Sequence, residues 1–125
     1  MIRQSREIAM RLYHRTTRQA ARRILAEGFR DGQGRYMTAQ IHRGVWGADQ
    51  ILDANEGARG DTILVIGIPL RRIRAYEWKE PGKPYREFCI PAAVVNKHGP
   101  PRVVSACEEK ALMRIGEVKK RRTSK

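Results

Sequence analysis

Three side chains in separate segments have types and surroundings suited to chemistry: His14, Trp46 and Glu87. His14 closes the alternating run Met10-Arg11-Leu12-Tyr13-His14-Arg15, in which Met10, Leu12 and His14 share one side. Trp46 stands among small residues in Gly44-Val45-Trp46-Gly47-Ala48-Asp49, and Glu87 interrupts the apolar stretch of Arg86-Glu87-Phe88-Cys89-Ile90. A carboxylate so placed either pairs with a cation, Arg86 or another, or stabilises positive charge that develops in a reaction. An imidazole can bind a ligand hydroxyl or sit satisfied in a core, and an indole can stack on a flat ring or fill a core. From the residues alone, both readings of each remain open.

Other chemistries lack their parts. The chain has no GxxxxGK[ST] loop, no GxGxxG after a strand, no HExxH and no GxSxG, which argues against phosphoryl transfer from ATP and zinc hydrolysis. His14, His42 and His98 lie apart without metal spacing. Cys89 and Cys107 make neither a disulfide framework nor a zinc pair, so a reduced, cytoplasmic setting is expected, with Cys89 a small buried hydrophobe.

The elements that must position these residues follow from periodicity. The run from Met10 to Arg15 predicts a strand, Thr16 with Gln19 a capping box, and Ala20, Ala21, Ile24 and Leu25 one face of a helix that stops at Gly28. Residues 31–44 read as a Gly-rich loop with one weak strand around Tyr36 to Ala39. Asp49 is expected to cap a helix through Ile51 and Leu52 that ends near Gly57. Asp61 to Pro69 has β-branched residues on both alternating faces, as a central strand covered on both sides would. Strands are also expected over 73–78 and 85–91, apolar strand or extended segments over 92–95 and 103–104, and a short amphipathic helix over 108–115. An early helix followed by many strands argues for an α+β domain with a largely antiparallel sheet.

A length of 125 residues suits one compact domain, read as 1–116, followed by a basic mobile tail, 117–125. The hydrophobic fraction of 41% and charged fraction of 31% exclude a fully disordered or membrane-embedded chain. No apolar run reaches the roughly 18–20 residues of a spanning helix, and Met1-Ile2-Arg3-Gln4 opens no secretory signal, so a soluble protein with no membrane partner is expected. The net charge of +13 is uneven: residues 1–30 hold eight Arg against Glu7 and Glu27, and residues 117–125 hold five basic residues against Glu117. Such a field attracts polyanions, though it also serves solubility.

Taken in order, Tyr13-His14-Arg15-Thr16 leading into a helix that ends Glu27-Gly28-Phe29, then Gly44-Val45-Trp46-Gly47-Ala48-Asp49, then Arg86-Glu87-Phe88-Cys89-Ile90, resemble the ADP-ribosyltransferase superfamily. The resemblance covers roughly residues 10–92 and is to the poly(ADP-ribose) polymerase branch with a His-Tyr-Glu triad. It implies a split, mostly antiparallel sheet and NAD as co-substrate. It further implies that His14 binds the adenosine-side ribose as part of the catalytic set, that Trp46 forms the aromatic wall beside nicotinamide, and that Glu87 is the catalytic carboxylate. Thr16 matches the hydroxyl residue of the motif. Arg15 stands where the family commonly has Gly and Trp46 replaces Tyr; the backbone at Arg15 can still meet nicotinamide if its side chain points away. Tyr36 is a second aromatic wall in this reading, and Arg15 and Arg35 are pyrophosphate contacts. The chemistry is consistent. Breaking the nicotinamide–ribose bond develops oxocarbenium-like charge, which a carboxylate held on a ribose hydroxyl stabilises.

The expected activity is therefore transfer of ADP-ribose to a macromolecular acceptor, a protein or a nucleic acid, as a small toxin-like effector would perform it. Two alternatives stand beside it. Leu12-Tyr13-His14-Arg15-Thr16 is close to the Leu-Tyr-His-Gly-Thr motif of the NAD-using RNA 2′-phosphotransferases, whose usual amino-terminal basic domain has no counterpart before the first strand. A non-catalytic, basic nucleic-acid-binding module of the same fold is the other.

Overall fold

A computed structural model describes residues 9–35, 41–52 and 60–123, with no side chains for 33–35, 41–42 and 115–123. The chain order is β1 (Ala9–Thr16), α1 (Arg18–Glu27), β2 (Gly32–Arg35), β3 (Ile41–Ala48), β4 (Thr62–Pro69), α2 (Leu70–Ile73), β5 (Glu77–Trp78), β6 (Glu87–Ile90), α3 (Ala92–Asn96), β7 (Arg102–Val103) and α4 (Ala106–Thr123). Six strands run β5-β6-β3-β1-β4-β7, every pair antiparallel, and β2 pairs with β3 beside that path. The result is the expected α+β domain built on a mostly antiparallel sheet.

β4 is a central strand for the reason its sequence suggests. Leu64, Ile66 and Ile68 point into one core with Leu12, Ala21, Ile24, Phe29, Phe88 and Ile90, while Ile63 and Val65 point into a second with Tyr13, Ile51 and Val104. The first core is closed by α1 and α3, the second by Leu112 and Met113 of α4. Phe88, Ile68 and Ile73 are fully shielded, each contributing about 1.5–3 kcal/mol of burial.

The sheet is split at one place. β1 pairs with β4 over eight residues but meets β3 only at Tyr13 opposite Ala48.

Several local expectations are corrected. The helix cap is Thr17 rather than Thr16: its hydroxyl accepts from Ala20 N at 3.1 Å, and Gln19 therefore falls one position short of a capping box. Gly28 does end α1, at φ +89°. Asp49 caps no helix; its carboxylate accepts from Arg86 N at 2.9 Å and its own N–H donates to Arg86 O, which extends the β3–β6 pairing, and Ile51 and Leu52 are buried in irregular backbone. The expected helix end at Gly57 and the weak strand at 36–39 lie outside the described residues.

Residues 73–78 alternate as a strand would, yet they form the end of α2, a 3-10 turn over Arg74–Tyr76 and only two strand residues, because Ile73 turns inward to full burial after Pro69 ends β4. Ala92–Val95 belongs to a helix rather than an extended segment. Pro91, at φ −53°, starts the turn, and Asp31 Oδ1 accepts from Ala92 N at 2.7 Å, a cap supplied from a distant part of the chain. The last helix runs well past 115, to Thr123, through most of the segment read as a tail.

Candidate functional site

The split between β1 and β3 is where His14 sits. Beyond the Tyr13–Ala48 bridge, the carbonyl of Trp46, two residues before Ala48, accepts a hydrogen bond from His14 Nδ1 at 2.7 Å, so the imidazole takes a place that β1 backbone would hold in an unbroken ladder. A carbonyl only accepts, which puts the hydrogen on Nδ1. Burial lowers the His14 pKa from its ordinary value by more than the Trp46 bond raises it, so the ring is neutral at pH 7. Nε2 then carries a lone pair and is an acceptor.

The ring is braced from behind. Phe29 meets it edge-on, with centroids 5.4 Å apart, and Phe29 is clamped by Asn96, which accepts from Phe29 N at 2.8 Å and donates to Phe29 O at 2.9 Å. Gly28 allows this approach, since a Cβ there would lie 3.1 Å from Asn96 Oδ1. A small apolar cavity lies between Leu12, His14, Phe29, Val45, Trp46 and Gly47, with room on the order of one water molecule.

Trp46 and Glu87 share a face on adjoining strands. Trp46 is opposite Cys89 and Ala48 is opposite Glu87, so the indole and the carboxylate are diagonal neighbours. Trp78 of β5 lies opposite Glu87 from the other side, and its ring meets Trp46 edge-on at 6.3 Å. Two indoles thus wall one buried carboxylate. His14 belongs to the other side: Tyr13, not His14, shares the Ala48 face by alternation. The site therefore has two parts, one in the split and one on the β3–β6 face, linked through the Trp46 main chain.

Charge around Glu87 is organised by its neighbours. Lys83 Nζ lies 2.9 Å from Glu87 Oε1, 3.4 Å from Trp78 O and 5.3 Å from the Tyr85 ring centroid. Arg86 is used elsewhere: its guanidinium forks onto Glu77 at 2.7 and 3.0 Å, which lowers the Glu77 pKa. Of the two partners expected for Glu87, Arg86 or another cation, the structure thus supplies the second. Burial pushes the Cys89 thiol up, with Asp31 and Glu87 adding to the effect, so it is a neutral thiol opposite Trp46 and no nucleophile.

No known protein family matches the chain, and neither a curated protein nor a solved structure matches it.

The remaining expected site residues divide. Arg15 points its side chain away from the split: Nε donates to Leu52 O at 2.8 Å, Nη1 to Gly60 O at 3.1 Å, and Nη2 lies 3.7 Å from Glu109. Its guanidinium is therefore engaged by Leu52, Gly60 and Glu109 rather than turned to the split. Thr16 ends β1 opposite Thr62, against the Gly60 backbone. Arg35 ends β2, and neither its side chain nor Tyr36 lies within what the structure describes. Among the described residues, no group of three His, Cys, Asp or Glu could hold a metal, and no helix is long and apolar enough to cross a membrane.

Sequence reasoning did not find Trp78, Lys83 or Asn96. Trp78 and Lys83 become neighbours of Glu87 only through the β5–β6 pairing and the connector before β6, and Asn96 acts 67 residues away from Phe29.

Proposed function

We propose that this chain is an NAD-dependent ADP-ribosyltransferase, cleaving the nicotinamide–ribose bond and passing ADP-ribose to a macromolecular acceptor. The observation that carries the reading is the neutral His14 imidazole at the split, its Nδ1–H committed to Trp46 O and its Nε2 left as an acceptor. An acceptor nitrogen of fixed orientation suits a ribose hydroxyl, which must donate to it. The π-face of an indole, Trp46 or Trp78, suits a flat aromatic ring, and Glu87 on the same sheet face suits positive charge developing at a ribose carbon.

The parts divide the work along an extended ligand. His14 would hold the adenosine-side ribose, Trp46 would orient the nicotinamide, and Glu87 would accept from a hydroxyl of the nicotinamide-side ribose while the glycosidic bond breaks. NAD would have to reach from the split, where His14 stands, to the β3–β6 face, where Glu87 stands, for its two riboses to meet both parts of the site. The cavity beside His14 is far smaller than nicotinamide, so the dinucleotide would lie along the split rather than inside that cavity.

Release of nicotinamide from NAD by the purified protein, in the presence of cell extract as acceptor, tests the reading. The wild type should release it, and Glu87→Gln, at a temperature where urea unfolding shows it to be folded, should cut the rate on the order of 100-fold or more while NAD still binds. No release by the wild type with any extract would overturn it.

A further inference from the structure

We infer that the outer face of α1 is a docking surface for a nucleic-acid strand. The helix buries Ala21 and Ile24 and turns Arg18, Gln19, Arg22, Arg23 and Ala26 to solvent. Arg18 and Arg22 are four residues apart and stack on one flank, with Arg23 across the crest. Like charges at this spacing weaken a helix, by about 0.2–0.5 kcal/mol per pair, so a face kept merely soluble would carry alternating signs. The first turn of α1 holds no acidic residue, although a carboxylate would be favoured there by the helix dipole.

Elsewhere some of the described cations have a carboxylate beside them, although Arg72, Arg74 and Lys97 do not. Arg15 has Glu109, Arg30 has Glu27, Lys83 has Glu87, Arg86 has Glu77 and Arg102 has Glu108. No described carboxylate pairs with Arg18, Arg22 or Arg23. The chain has 26 basic residues for 13 acidic ones, and on α1 part of that excess is gathered into one face that no described carboxylate pairs with.

The place of this face ties it to the site. α1 starts two residues after Thr16 ends the His14 strand and finishes at Gly28, directly before the Phe29 ring that braces His14. Arg18 and Arg22 are separated by about 6 Å along the helix axis, comparable to the step between successive phosphates of a strand. Guanidinium groups bind phosphate oxygens in bidentate pairs. A strand laid on α1 would therefore bind next to the elements that carry His14 and Phe29 in the chain. That it is then the acceptor of the transfer rests on the function proposed above; that it binds does not.

The test uses the full-length protein without NAD and fluorescein-labelled single-stranded RNA and DNA oligonucleotides, followed by anisotropy between about 50 and 200 mM salt. Arg18→Ala/Arg22→Ala/Arg23→Ala is compared with Arg72→Ala/Arg74→Ala/Lys97→Ala, which removes the same charge from exposed positions off the helix. The first variant should weaken binding about 10-fold or more and flatten the slope of log affinity against log salt by about 2, whereas the second should change both much less. Stronger binding of RNA or of DNA would name the strand. Equal losses in the two variants, unchanged binding by the first, or displacement of the oligonucleotide by polyglutamate at equal charge would each overturn the assignment. Nucleic-acid binding with no nicotinamide release would leave this surface standing and remove the catalytic reading instead.

Discussion

Lys83 Nζ lies 2.9 Å from Glu87 Oε1, and the two side chains are only 9% and 7% exposed. A pair this dry is costly to break from one side, because the remaining charge stays buried without its partner. Lys83→Met should therefore destabilise the fold by about 3–5 kcal/mol, read from urea unfolding. Lys83→Met/Glu87→Gln should recover much of the loss. A single variant as stable as the wild type would show that the pair is dispensable.

His14 makes stability depend on pH in a known direction. Its folded pKa is lowered, chiefly by burial, so the unfolded chain takes up a proton near pH 6.5 while the folded chain still resists. The unfolded state then binds more protons, and the His14 contribution is intact above about 6.5 and is lost as pH falls below it. The urea midpoint should drop between pH 7 and pH 5, and His14→Asn should remove that part of the drop. An NMR titration placing the His14 pKa above its ordinary value would contradict the assignment.

The same substitution separates structure from ligand binding. The Asn amide can still donate to Trp46 O in place of Nδ1, but it offers no acceptor where Nε2 stands. His14→Asn should therefore fold with near-native thermal stability above pH 7 and bind NAD at least about 10-fold more weakly by calorimetry. Undiminished NAD affinity would remove His14 from the site.

Gly60 holds the start of β4 against the end of β1. It adopts φ +114°, and a Cβ there would lie 2.2 Å from Thr16 O and 2.3 Å from Thr16 C. Gly60→Ala should push this backbone away from the Thr16–Thr17 peptide and loosen the Arg15–Gly60 bond, with a cost of about 3 kcal/mol or more in chemical unfolding. Gly82→Ala makes a useful control. It also has positive φ, +77°, but a Cβ there meets nothing within 4 Å, so only the backbone cost of about 1–2 kcal/mol is expected.

Asn96 reaches the imidazole through Phe29. Asn96→Ala removes both bonds to the Phe29 main chain and should cost about 1–3 kcal/mol. The His14 ring resonances should shift at the same time as the Phe29 edge contact loosens. Unmoved resonances would mean that Phe29 is held by packing alone.

Local pattern by itself determined the elements whose signal lies within a few residues: β1 by alternation, α1 by its apolar face and Gly28, and β4 by β-branched residues on both faces. The α+β class followed from their order. Only the tertiary structure decided the rest, because the deciding partners are distant in sequence. Ile73 abandons a strand-like pattern to reach full burial, Ala92 begins a helix because Asp31 caps it, and Asp49 is drawn from helix capping to the Arg86 backbone. The site divides in the same way. Residue type marked His14, Trp46 and Glu87 as suited to chemistry, but pairing placed Trp78 and Lys83 around Glu87, and the break between β1 and β3 set the His14 tautomer. Propensity and periodicity are properties of neighbours along the chain, whereas a caged carboxylate or an oriented imidazole is a property of neighbours across it.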